Sequence, residues 1–152
     1  MEKYTTKSFK ETQKLGENFA QEILASTMQK TALVLGLWGD LGAGKTTFLQ
    51  GFAKGLGIGE KINSPTFVIL KRFGLKNKPL KNFYHIDCYR LHKPEEILDL
   101  GFKEIISDPQ NIVAVEWPEK IKKVLPKNTV NIKFQHLEKN QRNIIIFGGF
   151  NV

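Results

Sequence analysis

Leu15, Phe19 and Ile23 recur every four residues behind Ser8 and Glu11, whose spacing is that of a helix capping box, so an amphipathic first helix is expected. Residues 32–38 are a continuous apolar run of strand length that ends in the glycine-rich Gly39-Asp40-Leu41-Gly42-Ala43-Gly44. That pattern reads as a buried strand feeding a tight loop. From Lys45 onward Phe48, Leu49, Phe52 and Leu56 return to helical spacing, and Gly57 supplies a C-terminal stop.

Residues 66–73 and 82–87 are rich in β-branched and aromatic side chains and are separated by a turn-like stretch over 74–79, the pattern of a β-hairpin. Pro94 followed by Glu95 and Glu96 suits a first helical turn, because proline lacks a donor not needed there and acids favour the positive helix end. A short helix to Leu100 follows from this. Residues 111–116 are a third apolar run, closed by an acid, and 118–124 read as one or two helical turns. Residues 129–135 and 143–147 read as a closing hairpin. Neither an internal repeat nor a linker interrupts the pattern.

The elements add up to a single α/β domain over residues 1–152, with a mixed sheet, antiparallel hairpins and flanking helices. A chain of 152 residues with 41% hydrophobic residues and 11 Phe can bury a sufficient core without disulfides. The one cysteine, Cys88, cannot pair within the chain, and the first 14 residues are polar where a signal peptide needs an apolar core, so a reducing cytoplasm is expected. No apolar run approaches the roughly 18 residues of a membrane span. The net charge of +8 rests on lysine, since Arg72, Arg90 and Arg142 are the only arginines. Scattered lysines of this kind draw a protein toward nucleotides or nucleic acid, or simply solvate its surface.

Gly39, Gly44, Lys45 and Thr46 match G-x-x-x-x-G-K-[ST], the P-loop, so the expected α/β domain is P-loop NTPase-like. With glycine at about 7% of residues, a chance match in a chain this size is on the order of one in a few hundred. Each position has a task. The glycines let backbone N–H groups point at phosphate oxygens, Lys45 reaches the outer phosphates, and the Thr46 hydroxyl can ligate magnesium.

Such a site also needs acids for the metal and the attacking water, held at strand ends beside the loop. Glu116 closes the run Ile112-Val113-Ala114-Val115, the pattern of a buried parallel strand, and is the principal candidate. Asp87 follows Phe83-Tyr84-His85-Ile86 and is the second. Ser64-Pro65-Thr66 lies where a switch loop would cover the γ-phosphate, with Thr66 able to hold water or metal; a proline turn opening a strand is the ordinary alternative. His85, His92 and His136 lack metal-ligand spacing and read as surface or satisfied core histidines. Trp117 could pack near a nucleotide or in the core.

The nearest approach to the guanine-reading N-K-x-D motif, Asn77-Lys78-Pro79-Leu80, lacks its aspartate, which favours ATP. Three arginines are few for a small-molecule kinase, whose transferring phosphoryl group is usually gripped by several.

Together, Gly39-Asp40-Leu41-Gly42-Ala43-Gly44-Lys45-Thr46-Thr47, Ser64-Pro65-Thr66-Phe67, His85-Ile86-Asp87-Cys88-Tyr89-Arg90-Leu91 and Glu116-Trp117-Pro118 resemble, in that order, the TsaE (YjeE) ATPases of bacterial tRNA threonylcarbamoyladenosine biosynthesis. The resemblance implies a Mg²⁺-dependent ATPase that assists the TsaB and TsaD proteins in placing a threonylcarbamoyl group on adenosine 37 of tRNAs reading codons that begin with A. The ATPase would not itself be the transferase, and tRNA would be an indirect partner. It also implies that residues 40–47 cradle ATP and that Thr46 and Glu116 are magnesium-linked. Asp87 would be a further catalytic or metal-linked acid, residues 64–67 a switch-like loop, and Thr12 a position near the adenine. Two other functions stay open at this stage: a nucleotide-sensing assembly module in which hydrolysis is incidental, and a small-molecule kinase.

Overall fold

The structure, a computed structural model, describes residues 1–27, 29–63, 69–76 and 78–148. Its sheet has seven strands among these residues, in the order β1-β7-β6-β2-β5-β4-β3. The strands are β1 (Glu2–Thr6), β2 (Leu33–Trp38), β3 (Leu70–Gly74), β4 (Asn82–Asp87), β5 (Asn111–Glu116), β6 (Val130–His136) and β7 (Arg142–Phe147). β6, β2, β5 and β4 run parallel, while β3 pairs antiparallel with β4, and β7 with both β6 and β1. The expected mixed sheet with antiparallel hairpins is therefore present, and the strand before the glycine loop lies at its centre. No helix among the described residues is long and apolar enough to cross a membrane.

Parallel strands are covered on both faces, so their sequences lose the alternation of a half-wet strand. β5 shows this most fully, with all six residues buried. Its even-numbered Ile112 and Ala114 join Leu35, Leu37, Phe83, Ile132 and Phe134 on the face covered by α1 (Phe9–Ala25) and α2 (Lys45–Gly55). Val113 and Val115 turn with Val34 and Ile86 to the other face, against Ile97, Phe102, Ile105 and Ile121. Those last four come from a 3₁₀ helix (Pro94–Leu100), α3 (Phe102–Ser107) and a 3₁₀ turn (Pro118–Ile121). On the first face Phe48 meets Phe134 edge-on at 5.5 Å between centroids, and Phe52 meets Phe83 at 5.6 Å, a geometry aromatic rings favour.

α1 opens as the sequence indicates: Ser8 Oγ accepts from the Glu11 amide at 3.1 Å, and the Glu11 carboxylate accepts from the Lys7 amide. Two elements have no counterpart in the sequence pattern. β1 is a polar edge strand in which only Thr6 is buried, so it carries no hydrophobic period and is fixed by its backbone ladder to β7. α3 has six residues, too few for a 3.6-residue repeat to declare itself.

The two long helices lie unusually close. A Cβ on Gly51 of α2 would stand 1.8 Å from the Gln13 carbonyl oxygen, and one on Gly16 of α1 would stand 2.2 Å from the Phe48 carbonyl oxygen. Only glycine lets the backbones meet there. Gly51→Ala gains about 1 kcal/mol of helix propensity but must push two helices apart, an overpacking cost of about 3 kcal/mol. The expected outcome of a thermal unfolding scan is a net loss of about 2 kcal/mol, or roughly 6 °C in Tm; an unchanged Tm would show that the helices separate freely.

Candidate functional site

Three chain segments reach the same edge of the sheet because β2, β4 and β5 are parallel and in register. Leu37 and Asp87 both pair with Glu116. The carboxyl end of β2 runs into residues 39–44, and α2 starts at Lys45, giving the strand–loop–helix context the glycine motif requires. Crevices outside the carboxyl ends of parallel strands are where open α/β sheets bind ligands.

The loop is shaped by backbone conformations that side chains rarely adopt. Gly39 has φ +146°, and a Cβ there would stand 2.7 Å from the Phe134 carbonyl oxygen. Gly44, the N-cap of α2, has φ +105° and offers no side-chain cap, and the N-terminal end of a helix is the end that favours an anion. Lys45 is 5% exposed and folds back over the loop: its Nζ donates to the Gly39 carbonyl at 2.6 Å and stands 3.7 Å from the centre of the Trp117 ring. Burial pushes the Lys45 ammonium below the usual lysine range, opposed by the nearby Glu116 carboxylate.

From the far side the loop is held by Arg142, the first residue of β7. Its Nη2 donates to the Gly42 carbonyl at 3.0 Å, and its Nη1 to the Gln141 carbonyl at 2.9 Å. Its Nε is buried without a hydrogen-bond partner and lies 3.5 Å from where a Cβ of Gly44 would stand. Sequence reasoning gave Arg142 no role, and the 100 positions separating it from Gly42 leave no local signal.

The two candidate acids differ in setting. Glu116 is 2% exposed; its Oε2 lies 2.8 Å from His85 Nε2, and its Oε1 lies 3.5 Å from Thr46 Oγ1, at the long limit of a hydrogen bond. Asp87 is half-buried, and its Oδ1 accepts from the Tyr89 amide at 2.9 Å. Burial raises the Asp87 carboxyl above the ordinary carboxylate range and the Glu116 charge adds to this, against the Tyr89 hydrogen bond. His85 is a core histidine as expected, but its partner is a candidate site acid. The available signal was that positions 85 and 87 share one face of a strand.

Trp117 follows Glu116 in a left-handed conformation, φ +57° and ψ +51°, which costs a bulky residue about 1 kcal/mol. The turn carries the indole over Lys45 and within 5.0 Å of the half-exposed Tyr89 ring, centroid to centroid. Of the remaining expected positions, Asp40, Leu41 and Gly42 form the exposed tip of the loop, Ala43 is buried, and Thr47 is half-buried on α2. Thr12 is buried on α1, where its hydroxyl pairs with that of Thr6 at 2.7 Å and donates to the Ser8 carbonyl at 3.2 Å. Thr66, with the rest of residues 64–68, lies outside the described residues.

Among the described residues, no group of three or more His, Cys, Asp or Glu side chains is arranged to hold a metal ion. What Thr46, Glu116 and Asp87 offer is a hydroxyl and two carboxylates, all hard oxygen donors. That set fits magnesium, which is commonly bound by one or two carboxylates together with substrate phosphates.

Fold and site together define a mixed-sheet α/β domain with a P-loop sequence between its central strand and a helix. The family model described as "Threonylcarbamoyl adenosine biosynthesis protein TsaE" matches residues 6–144. Proteins named "tRNA threonylcarbamoyladenosine biosynthesis protein TsaE" are similar to the chain. The one from Bacillus subtilis is 42% identical over 121 residues, covering 80% of this chain and 73% of that protein. The one from Haemophilus influenzae is 32% identical over 139 residues, covering 91% and 84%. A crystal structure titled for Bacillus subtilus YdiB superposes with a TM-score of 0.74 at 33% identity, over 99% of this chain and 86% of that one. The chain belongs to the TsaE family.

The Arg142 contact yields a prediction. Arg142→Met keeps the aliphatic packing and removes the charged donor to Gly42, so urea unfolding is expected to show a loss of about 2 kcal/mol. A loss below about 0.5 kcal/mol, the range of ordinary surface substitutions, would mean that the guanidinium does not hold the loop.

Proposed function

We propose that this chain is a Mg²⁺-dependent ATPase serving threonylcarbamoylation of adenosine 37 in tRNAs that read codons beginning with A, acting on the TsaB–TsaD complex and not itself transferring the group. Family membership supports the pathway. The observation that carries the ATPase reading is the convergence of Lys45 and Thr46, on the first turn of α2, with the strand-end acids Glu116 and Asp87.

In this reading the amides of residues 40–47 bind the phosphates and the α2 N-terminus faces their charge. Lys45 leaves the Gly39 carbonyl for the outer phosphates. Thr46 Oγ1 and the Glu116 carboxylate would hold magnesium, which when bound neutralises charge on the phosphate oxygens. Asp87, its carboxyl raised above the ordinary carboxylate range by burial, is suited to orient or deprotonate the attacking water. Thr66 is the alternative to Asp87 for that task, on the segment 64–67 that the family resemblance makes a switch-like loop, and Thr12 stands near the adenine in that resemblance. The compartment this implies is the cytoplasm. The buried Cys88 thiol, pushed up to about 12, remains unreactive.

The test is phosphate release from Mg-ATP by the purified chain, alone and with TsaB and TsaD. Lys45→Ala and Glu116→Ala are each expected to lower turnover by about 10²-fold or more, the scale seen when one charge-stabilising group is removed. Full turnover by both variants would overturn the assignment. ATP binding without partner-stimulated release would replace the ATPase with a nucleotide-sensing module.

A further inference from the structure

Glu116 is a buried carboxylate on a side chain with three rotatable bonds, and a site that uses it must fix both its charge and its direction. The residue placed to do so is His85. It lies on the neighbouring parallel strand, 1% exposed, with Nε2 2.8 Å from Glu116 Oε2. In register His85 faces Ala114, not Glu116. Ala114 carries only a methyl group, which leaves the imidazole room to lean two residues along β5 to the carboxylate.

The contact engages one oxygen and leaves the other for Thr46, whose hydroxyl stands 3.5 Å from Oε1. A carboxylate pinned at one oxygen by a buried donor, with its second oxygen turned toward another hard donor, has the geometry of an outer partner orienting a metal-linked acid. We propose that His85 is the positioning residue of the site: its Nε2–H fixes the Glu116 carboxylate so that Oε1 is directed beside Thr46 toward the magnesium of bound Mg-ATP. This rests on the ATPase reading above. It differs from a purely structural role, in which His85 satisfies a buried charge and its loss weakens the fold without touching metal affinity selectively.

The two roles separate when metal and nucleotide affinities are measured apart. The probe is Mn²⁺, titrated by electron paramagnetic resonance against protein saturated with a non-hydrolysable ATP analogue; binding of the analogue alone is measured in EDTA. His85→Leu is expected to weaken protein-dependent Mn²⁺ binding by about ten- to a hundredfold, while metal-free analogue binding changes by less than roughly twofold. His85→Gln, whose amide can donate from a similar reach, is expected to restore Mn²⁺ affinity to within about threefold of the parent chain.

Unchanged Mn²⁺ affinity in His85→Leu would overturn the proposal, as would equal losses with and without metal. If His85→Leu does not fold, His85→Asn takes its place, because its amide is too short to reach Oε2; equal Mn²⁺ affinities for the Asn and Gln variants would overturn it. Glu116→Gln separates this from the underlying reading. If that variant binds Mn²⁺ as the parent chain does, the role given to Glu116 fails and takes the proposal with it. If Glu116→Gln loses Mn²⁺ and His85→Leu does not, only the proposal fails.

Discussion

The parallel register of β2, β5 and β4 is the constraint on which the site depends. Pairing Leu37 and Asp87 with Glu116 puts one strand-to-helix loop and two carboxylates at one edge of the sheet, although they come from positions far apart in sequence. A slip of one residue in β5 would turn Glu116 to the opposite face and drive Val115 into its place. The burial of all six β5 residues, with separate clusters waiting on each face, makes such a slip expensive. Hydrophobic packing along the strands thus sets where the charges at their ends can lie.

Rigidity near the loop comes from two directions. Glycines at 16 and 51 bring α1 and α2 to backbone contact, so the helix that carries Lys45 and Thr46 is braced along its length by the helix that carries Thr12. Arg142 braces the loop itself from the β6–β7 side. In the proposed ATPase, this bracing would keep the backbone donors of the loop in place for the phosphates while the Lys45 side chain swings from Gly39.

Much of this was legible in the sequence wherever cause and effect lie within a few residues. The Ser8 cap, the strand over 33–38, the glycine loop, α2 and both hairpins follow from local period and turn chemistry, and the strand-end placement of Glu116 from its apolar run. Relations that depend on topology were not legible. His85 and Glu116 meet across 31 positions only because β4 and β5 are parallel neighbours, and Arg142 finds Gly42 only because the closing hairpin folds beside β2. β1 escaped notice because a polar edge strand is specified by its partner's backbone and not by its own side chains.

The left-handed turn at Trp117 gives the molecule a built-in optical reporter. Its indole lies beneath the Lys45 ammonium, whereas Trp38, the other tryptophan, donates its ring N–H to Asn131 at 2.8 Å on a different strand pair. A cation at the face of an indole perturbs its electron distribution directly. Withdrawal of Lys45 from Trp117 therefore changes the emission of that indole. The position of a single lysine can be followed by light, without labelling the chain.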